Sequence, residues 1–93
     1  MTKQEFITRI ADRSGLTNRD AQLALDAVVE TITGTVAGGE KVQIPGLGTF
    51  EPRERSAREG RNPQSGEVIQ IAATTVPGFK PATAFKNATA GRS

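Results

Sequence analysis

The sequence predicts an α+β domain: an N-terminal helical pair, a three-stranded antiparallel sheet drawn out into a long β-arm, and a short C-terminal helix. Three observations carry this. Apolar residues recur at helical spacing as far as Val36. From Val42 onward they fall in short strand-like runs, and glycine or proline marks the changes of element. Between Glu51 and Pro63 the only apolar side chains are Ala57 and the two prolines, so no hydrophobic core can use that stretch.

Thr2 followed by Glu5 matches a capping box and opens the first helix, residues 3–14. Phe6, Ile7, Ile10 and Ala11 form its apolar face, and Ser14-Gly15 ends it. Thr17 with Asp20 repeats the device for a second helix, residues 18–37. Its apolar stripe is Ala21, Leu25, Val28, Val29, Ile32 and Val36, and Gly38-Gly39 closes it. Lys41 to Ile44 is a short strand, turned by Pro45-Gly46 into a second that starts at Gly48 with Phe50 inward. Gln64-Ser65-Gly66 completes a tip, and Glu67 to Ile71 returns toward Val76-Pro77-Gly78-Phe79. A final helix over 82–90 places Ala84, Phe85 and Ala88 on its inner side. The expected organisation is one domain over 1–93. It has a helical base at 1–40, a sheet at 41–81 with an arm over about 52–75, and a closing helix and tail at 82–93.

Composition excludes several classes. Among 93 residues there is no Cys and no His, which removes disulfides, thiolate nucleophiles and ordinary structural zinc. No Gly-x-x-x-x-Gly-Lys-Ser pattern is present, and the acids near the arm (Glu51, Glu54, Glu59) include no Asp partner for metal-dependent cleavage. The expectation is no enzyme, no cofactor, no catalytic residue and no metal site. No apolar run approaches the roughly 20 residues of a membrane span. The N-terminus has no apolar signal core, so a cytoplasmic chain without membrane contact is expected. Only 35% of residues are hydrophobic, too few for a small domain to bury both faces of a thin sheet. Leu47, Phe50, Val76, Phe79 and Phe85 are therefore read as core and dimer interface.

Charge is uneven. Residues 1–50 hold five basic and six acidic side chains, whereas residues 51–93 hold seven and four. Four arginines, at 53, 55, 58 and 61, precede Asn62-Pro63. Arg53 and Arg55 share a strand face; Arg58 breaks the phase, and a bulge near Ala57 would restore it. Taken alone, such a hairpin is either a solvated strand face or a grip for a polyanion. Pro63 alone is either a turn former or a wedge. A groove-reading second helix is disfavoured, because only Asn18, Arg19 and Gln22 are suitable there. A protein-binding hairpin stays open.

Four segments together resemble the bacterial histone-like family that includes HU and integration host factor. They are the helical pair, Pro45-Gly46-Leu47-Gly48-Thr49-Phe50, Arg58-Glu59-Gly60-Arg61-Asn62-Pro63, and Val76-Pro77-Gly78-Phe79. The match runs to about Ala90 and looks most like an HU homodimer subunit of actinobacterial type. The resemblance implies an intertwined two-fold dimer whose two arms wrap the minor groove of double-stranded DNA. It implies that Pro63 intercalates beside Asn62, that Arg53, Arg55, Arg58 and Arg61 line the groove, and that Lys3, Lys80 and Lys86 meet flanking phosphates. It also implies a nucleoid protein that bends and compacts DNA with little sequence preference, favouring nicked, gapped or bent sites. The alternative within the family is a site-selective subunit like integration host factor. Thr75 and Ala82-Thr83 depart from the family, which has basic residues or Gly-Lys there. That implies a smaller flanking contact surface.

Overall fold

In a computed structural model, residues 1–91 are described, in the order α1 (Lys3–Ser14), α2 (Asn18–Ala37), β1 (Val42–Ile44), β2 (Gly48–Arg55), β3 (Arg58–Arg61), β4 (Val68–Ile71), β5 (Thr74–Pro81) and α3 (Thr83–Thr89). The chain divides into two compact units, Met1–Gly34 and Thr35 onward.

In the first unit both helix starts are capped as the sequence predicts. The Thr2 hydroxyl accepts the Glu5 N–H at 3.2 Å, and the Thr17 hydroxyl accepts that of Asp20 at 3.1 Å. Each cap satisfies a donor that the first helical turn leaves without a partner, which is worth about 1 kcal/mol. α1 ends at Gly15, whose N–H donates to the Ala11 carbonyl at 3.0 Å and whose φ of 77° turns the following chain out of the helix. Ile7, Ala11 and Ala21 make the buried cluster, with Ile10 and Leu25 against it.

The second unit holds the sheet. Antiparallel β1-β2-β5 form three strands and β3-β4 form a separate two-stranded ladder. Ile44 to Leu47 is a turn closed by the Leu47 N–H on the Ile44 carbonyl at 3.0 Å, with Gly46 at φ 84°. That is type II geometry, in which proline presets the second residue and glycine supplies the positive φ of the third. β1 covers β2 only from Gly48 to Phe50. Beyond Phe50, β2 and β5 continue as a pair to Arg55 opposite Thr74. Phe50 and Phe79 face each other with ring centroids 4.8 Å apart, and Phe79 meets Phe85 of α3 at 6.2 Å. The Ala82 N–H donates to the Leu47 carbonyl at 3.0 Å and so ties the start of α3 to the turn.

The arm differs from expectation in two ways. The three expected strands are five segments, because each long strand is interrupted once. The bulge near Ala57 is absent: Arg55 pairs with Thr74, and pairing resumes with Arg58 opposite Ile71. Two residues on each side, Ser56-Ala57 and Ala72-Ala73, leave the ladder while its register is kept. A bulge requires unequal numbers on the two strands. The final helix is also shorter than 82–90, and Ala84 and Ala88 are exposed in the single chain.

Very little is buried within one chain. Ile7, Ala11, Ala21 and Val36 are the buried hydrophobic residues among those described. Met1, Phe6, Leu23, Val28, Val29, Leu47, Phe79 and Phe85 are exposed. Phe50 and Val76 are half-buried.

Candidate nucleic-acid interface

Strand alternation sorts the sheet into two faces. On one face Phe50 and Phe79 pair, with Pro52 and Pro77 beside them. The other face carries Thr49, Glu51, Arg53 and Arg55 of β2 against Lys80, Gly78, Val76 and Thr74 of β5. Arg53, Arg55 and Lys80 thus share a cationic face. Val76 lies on that face and not with the phenylalanines, because it is three residues from Phe79 and so opposite in phase. Glu54 falls on the phenylalanine side, away from Arg53 and Arg55.

The β3–β4 ladder carries its arginines on both faces. Arg58 sits with Gly60, Ile69 and Ile71, whereas Arg61 sits with Glu59, Val68 and Gln70. Gln70 donates to the Glu59 carboxylate at 3.4 Å. Arg55, Arg58 and Arg61 make no ion pair among the described residues, so three exposed guanidinium groups stand along the arm with their donor forks unused.

The tip is built by its own side chains. Asn62 Oδ1 accepts the Gln64 N–H at 2.9 Å, and the Ser65 hydroxyl accepts the Glu67 N–H at 3.3 Å. The Asn62 N–H donates to the Glu67 carbonyl at 2.9 Å, and the Asn62 carbonyl accepts from Gly66 at 2.7 Å. Such local bonds hold a turn that has no core beneath it. Asn62 therefore shapes the tip, and Pro63 is the apolar ring presented at its end, exposed to solvent.

The remaining lysines differ in availability. Lys80 is exposed opposite Thr49, and Lys86 is exposed on α3. The Lys3 ammonium lies 3.0 Å from Asp26, so an acid already neutralises part of its charge. Sequence reasoning missed Lys41. It precedes β1, is exposed, and lies 3.5 Å from Glu51 of β2. The only sequence signal was its phase with Gln43, and that has meaning only once the register of β1 against β2 is known.

An α+β fold with a bare, arginine-bearing hairpin and a self-supported apolar tip is the architecture of a protein that grips a polyanion from outside. The chain belongs to the bacterial DNA-binding protein family, whose sequence profile matches residues 1–90. It is 56% identical over 87 residues to DNA-binding protein HU of Clostridium pasteurianum, covering 94% of this chain and 96% of that one. It is 51% identical over 92 residues to DNA-binding protein HU 1 of Bacillus subtilis, covering 99% and 100%. Among solved structures, Anabaena HU in a cocrystal with DNA superposes with a TM-score of 0.92 at 42% identity, covering 97% of this chain and 98% of that one. HU from Thermotoga maritima superposes at 0.67 with 37% identity, covering 96% and 98%.

Proposed function

We propose that this protein is a nucleoid-associated architectural protein that binds double-stranded DNA as a homodimer, bends it, and helps compact the chromosome. It acts by binding, without turnover. The observation that carries this is the arm: three unpaired arginines leading to a locally braced, exposed proline. Basic side chains along a hairpin neutralise phosphates whatever the sequence. An apolar wedge unstacks a base step, and the bend brings more duplex onto protein. Because the minor groove presents a degenerate pattern, preference follows deformability more than sequence.

The exposed apolar residues support the homodimer. A chain of this size that buries four hydrophobic side chains does not hold its fold alone. A second copy covering Leu47, Phe79 and Phe85 supplies the missing core and a second arm, and two-fold pairing is the commonest solution. On this reading 1–93 is one DNA-binding domain, with a helical dimerisation base at 1–40, a sheet with its arm at 41–81, and a C-terminal helix and tail at 82–93. The location that follows is the bacterial nucleoid within the cytoplasm. No described helix is long and apolar enough to cross a membrane.

The test is a titration against an intact duplex and a nicked duplex of the same sequence at several salt concentrations. Tighter binding to the nicked duplex with a steep salt slope is expected. Equal binding to both leaves only electrostatic coating, and no binding at low salt returns the hairpin to protein recognition. In the same assay Arg58→Ala and Arg61→Ala each weaken binding and lower the log–log salt slope by about one. An unchanged slope for either variant removes that arginine from phosphate contact.

A further inference from the structure

The cationic sheet face holds one acid, Glu51, and that acid is engaged twice. Its Oε1 lies 3.4 Å from Arg53 Nη2, and its Oε2 lies 3.5 Å from Lys41 Nζ. The carboxylate is the sheltered member, at 21% side-chain exposure against 47% for Arg53 and 70% for Lys41. A second feature fixes Arg53. Its side chain lies along β5 across Gly78, so that a Cβ at position 78 would run into Arg53 Nε, Cδ and Cζ. Gly78 stands opposite Glu51 in the ladder, two pairs along from Arg53 and on the same face. The guanidinium is therefore laid flat, with the missing side chain of Gly78 making the room and Glu51 holding the end.

We propose that Glu51 is a built-in competitor of DNA phosphate on the sheet face. It keeps Arg53 down against Gly78 and draws Lys41 toward β2, and a duplex phosphate must displace it to engage either cation. This rests on the reading that the protein binds DNA. The chemistry is an exchange of like for like: a carboxylate offers a guanidinium the same planar pair of acceptors that a phosphate does. A cation already neutralised by a neighbour releases fewer counterions when DNA arrives, so it adds less to the salt slope. Arg55, Arg58 and Arg61 have no such partner among the described residues. Full-strength contact therefore belongs to the arm, and any duplex phosphate that meets the sheet face must first displace the carboxylate. Glu51 sharpens the choice of deformable DNA over straight DNA by weakening the contact that straight DNA reaches most easily.

The experiment compares Glu51→Gln with Glu54→Gln on the full-length protein, using intact and nicked duplexes over a salt series. Both variants remove one negative charge from β2, but Glu54 lies on the other face and makes no ion pair among the described residues. Glu51→Gln is expected to tighten binding to the intact duplex several-fold and to steepen the log–log salt slope by about 1–2, at ~0.9 per added phosphate contact. It should also narrow the preference for the nicked duplex. Adding Lys41→Ala and Arg53→Ala to Glu51→Gln should take the added slope away again. Equal effects of Glu51→Gln and Glu54→Gln would reduce the idea to net charge. Weaker binding by Glu51→Gln would make the carboxylate a scaffold for Arg53 and overturn the competition. Failure of the unsubstituted protein to bind either duplex sinks the DNA-binding reading itself, an outcome distinct from both.

Discussion

Gly48→Ala is expected to be the most destabilising single-methyl change in this chain. Gly48 is buried at the start of β2 with φ 153°, a backbone region that L-residues rarely enter. A Cβ there would lie 2.5 Å from the Lys80 carbonyl and 2.7 Å from the Phe79 ring. The neighbours have no slack: Lys80 is in the β5 ladder opposite Thr49, and Phe79 is held between Phe50 and Phe85. Backbone strain of about 1–3 kcal/mol adds to overpacking of similar size. Against a total stability of about 5–15 kcal/mol, that is a large fraction. The fall in melting temperature should be on the order of 20 °C. Gly46→Ala is the matched comparison. Gly46 also has positive φ, at 84°, but open space surrounds it, so alanine there meets strain without collision. Thermal unfolding followed by circular dichroism at matched protein concentration separates the two, because dimer stability depends on concentration. Equal losses at both glycines would show that the approach of β5 to Gly48 is not what matters.

The same position shows what a sequence can and cannot disclose. The Pro45-Gly46 turn and both helix caps are legible because their chemistry is local: a hydroxyl three residues before an N–H, or a proline followed by a residue that tolerates positive φ. The boundaries of α1 and α2 follow from those signals. The collision at Gly48 is not legible, since it depends on Phe79 and Lys80, some thirty residues away. The arm has the same limitation. Alternation gives Arg53 and Arg55 a common face, yet the phase break at Arg58 invites a bulge that pairing excludes. The ladder opens symmetrically at Ser56-Ala57 and Ala72-Ala73, and only knowledge of both strands shows that. As a hydrophobe Val76 reads as core beside the phenylalanines, but its phase puts it among cations. Lys41 and Glu51 are ten residues apart, and the β1–β2 turn brings them together. Arginine content and the Asn62-Pro63 tip were visible because neither has any use in a core.

Pro63→Ala is expected to remove most of the bend while leaving much of the affinity. The tip does not depend on the ring. Asn62, Ser65 and Gly66 close it through four hydrogen bonds that alanine at position 63 leaves in place. Arg55, Arg58 and Arg61 remain to neutralise phosphates. What disappears is the apolar surface that fills an opened base step. Unstacking a step requires a few kcal/mol, which the wedge offsets by covering the exposed bases. Without it, bending a site of 20–30 base pairs smoothly through 40–90° requires about 1–6 kcal/mol with nothing to localise the kink. The bend angle, followed by energy transfer between labelled duplex ends, should therefore collapse toward that of free DNA. Affinity for a relaxed duplex, followed by anisotropy, should change by less than tenfold. Pro63→Leu separates the two roles open to a proline at a turn. Leucine keeps an apolar wedge and gives up the fixed φ. Retained bending with leucine and lost bending with alanine assigns Pro63 to intercalation. Parallel loss in both variants would make it a turn former only. Equal loss of bending and of binding in Pro63→Ala would mean that the tip holds the duplex without kinking it.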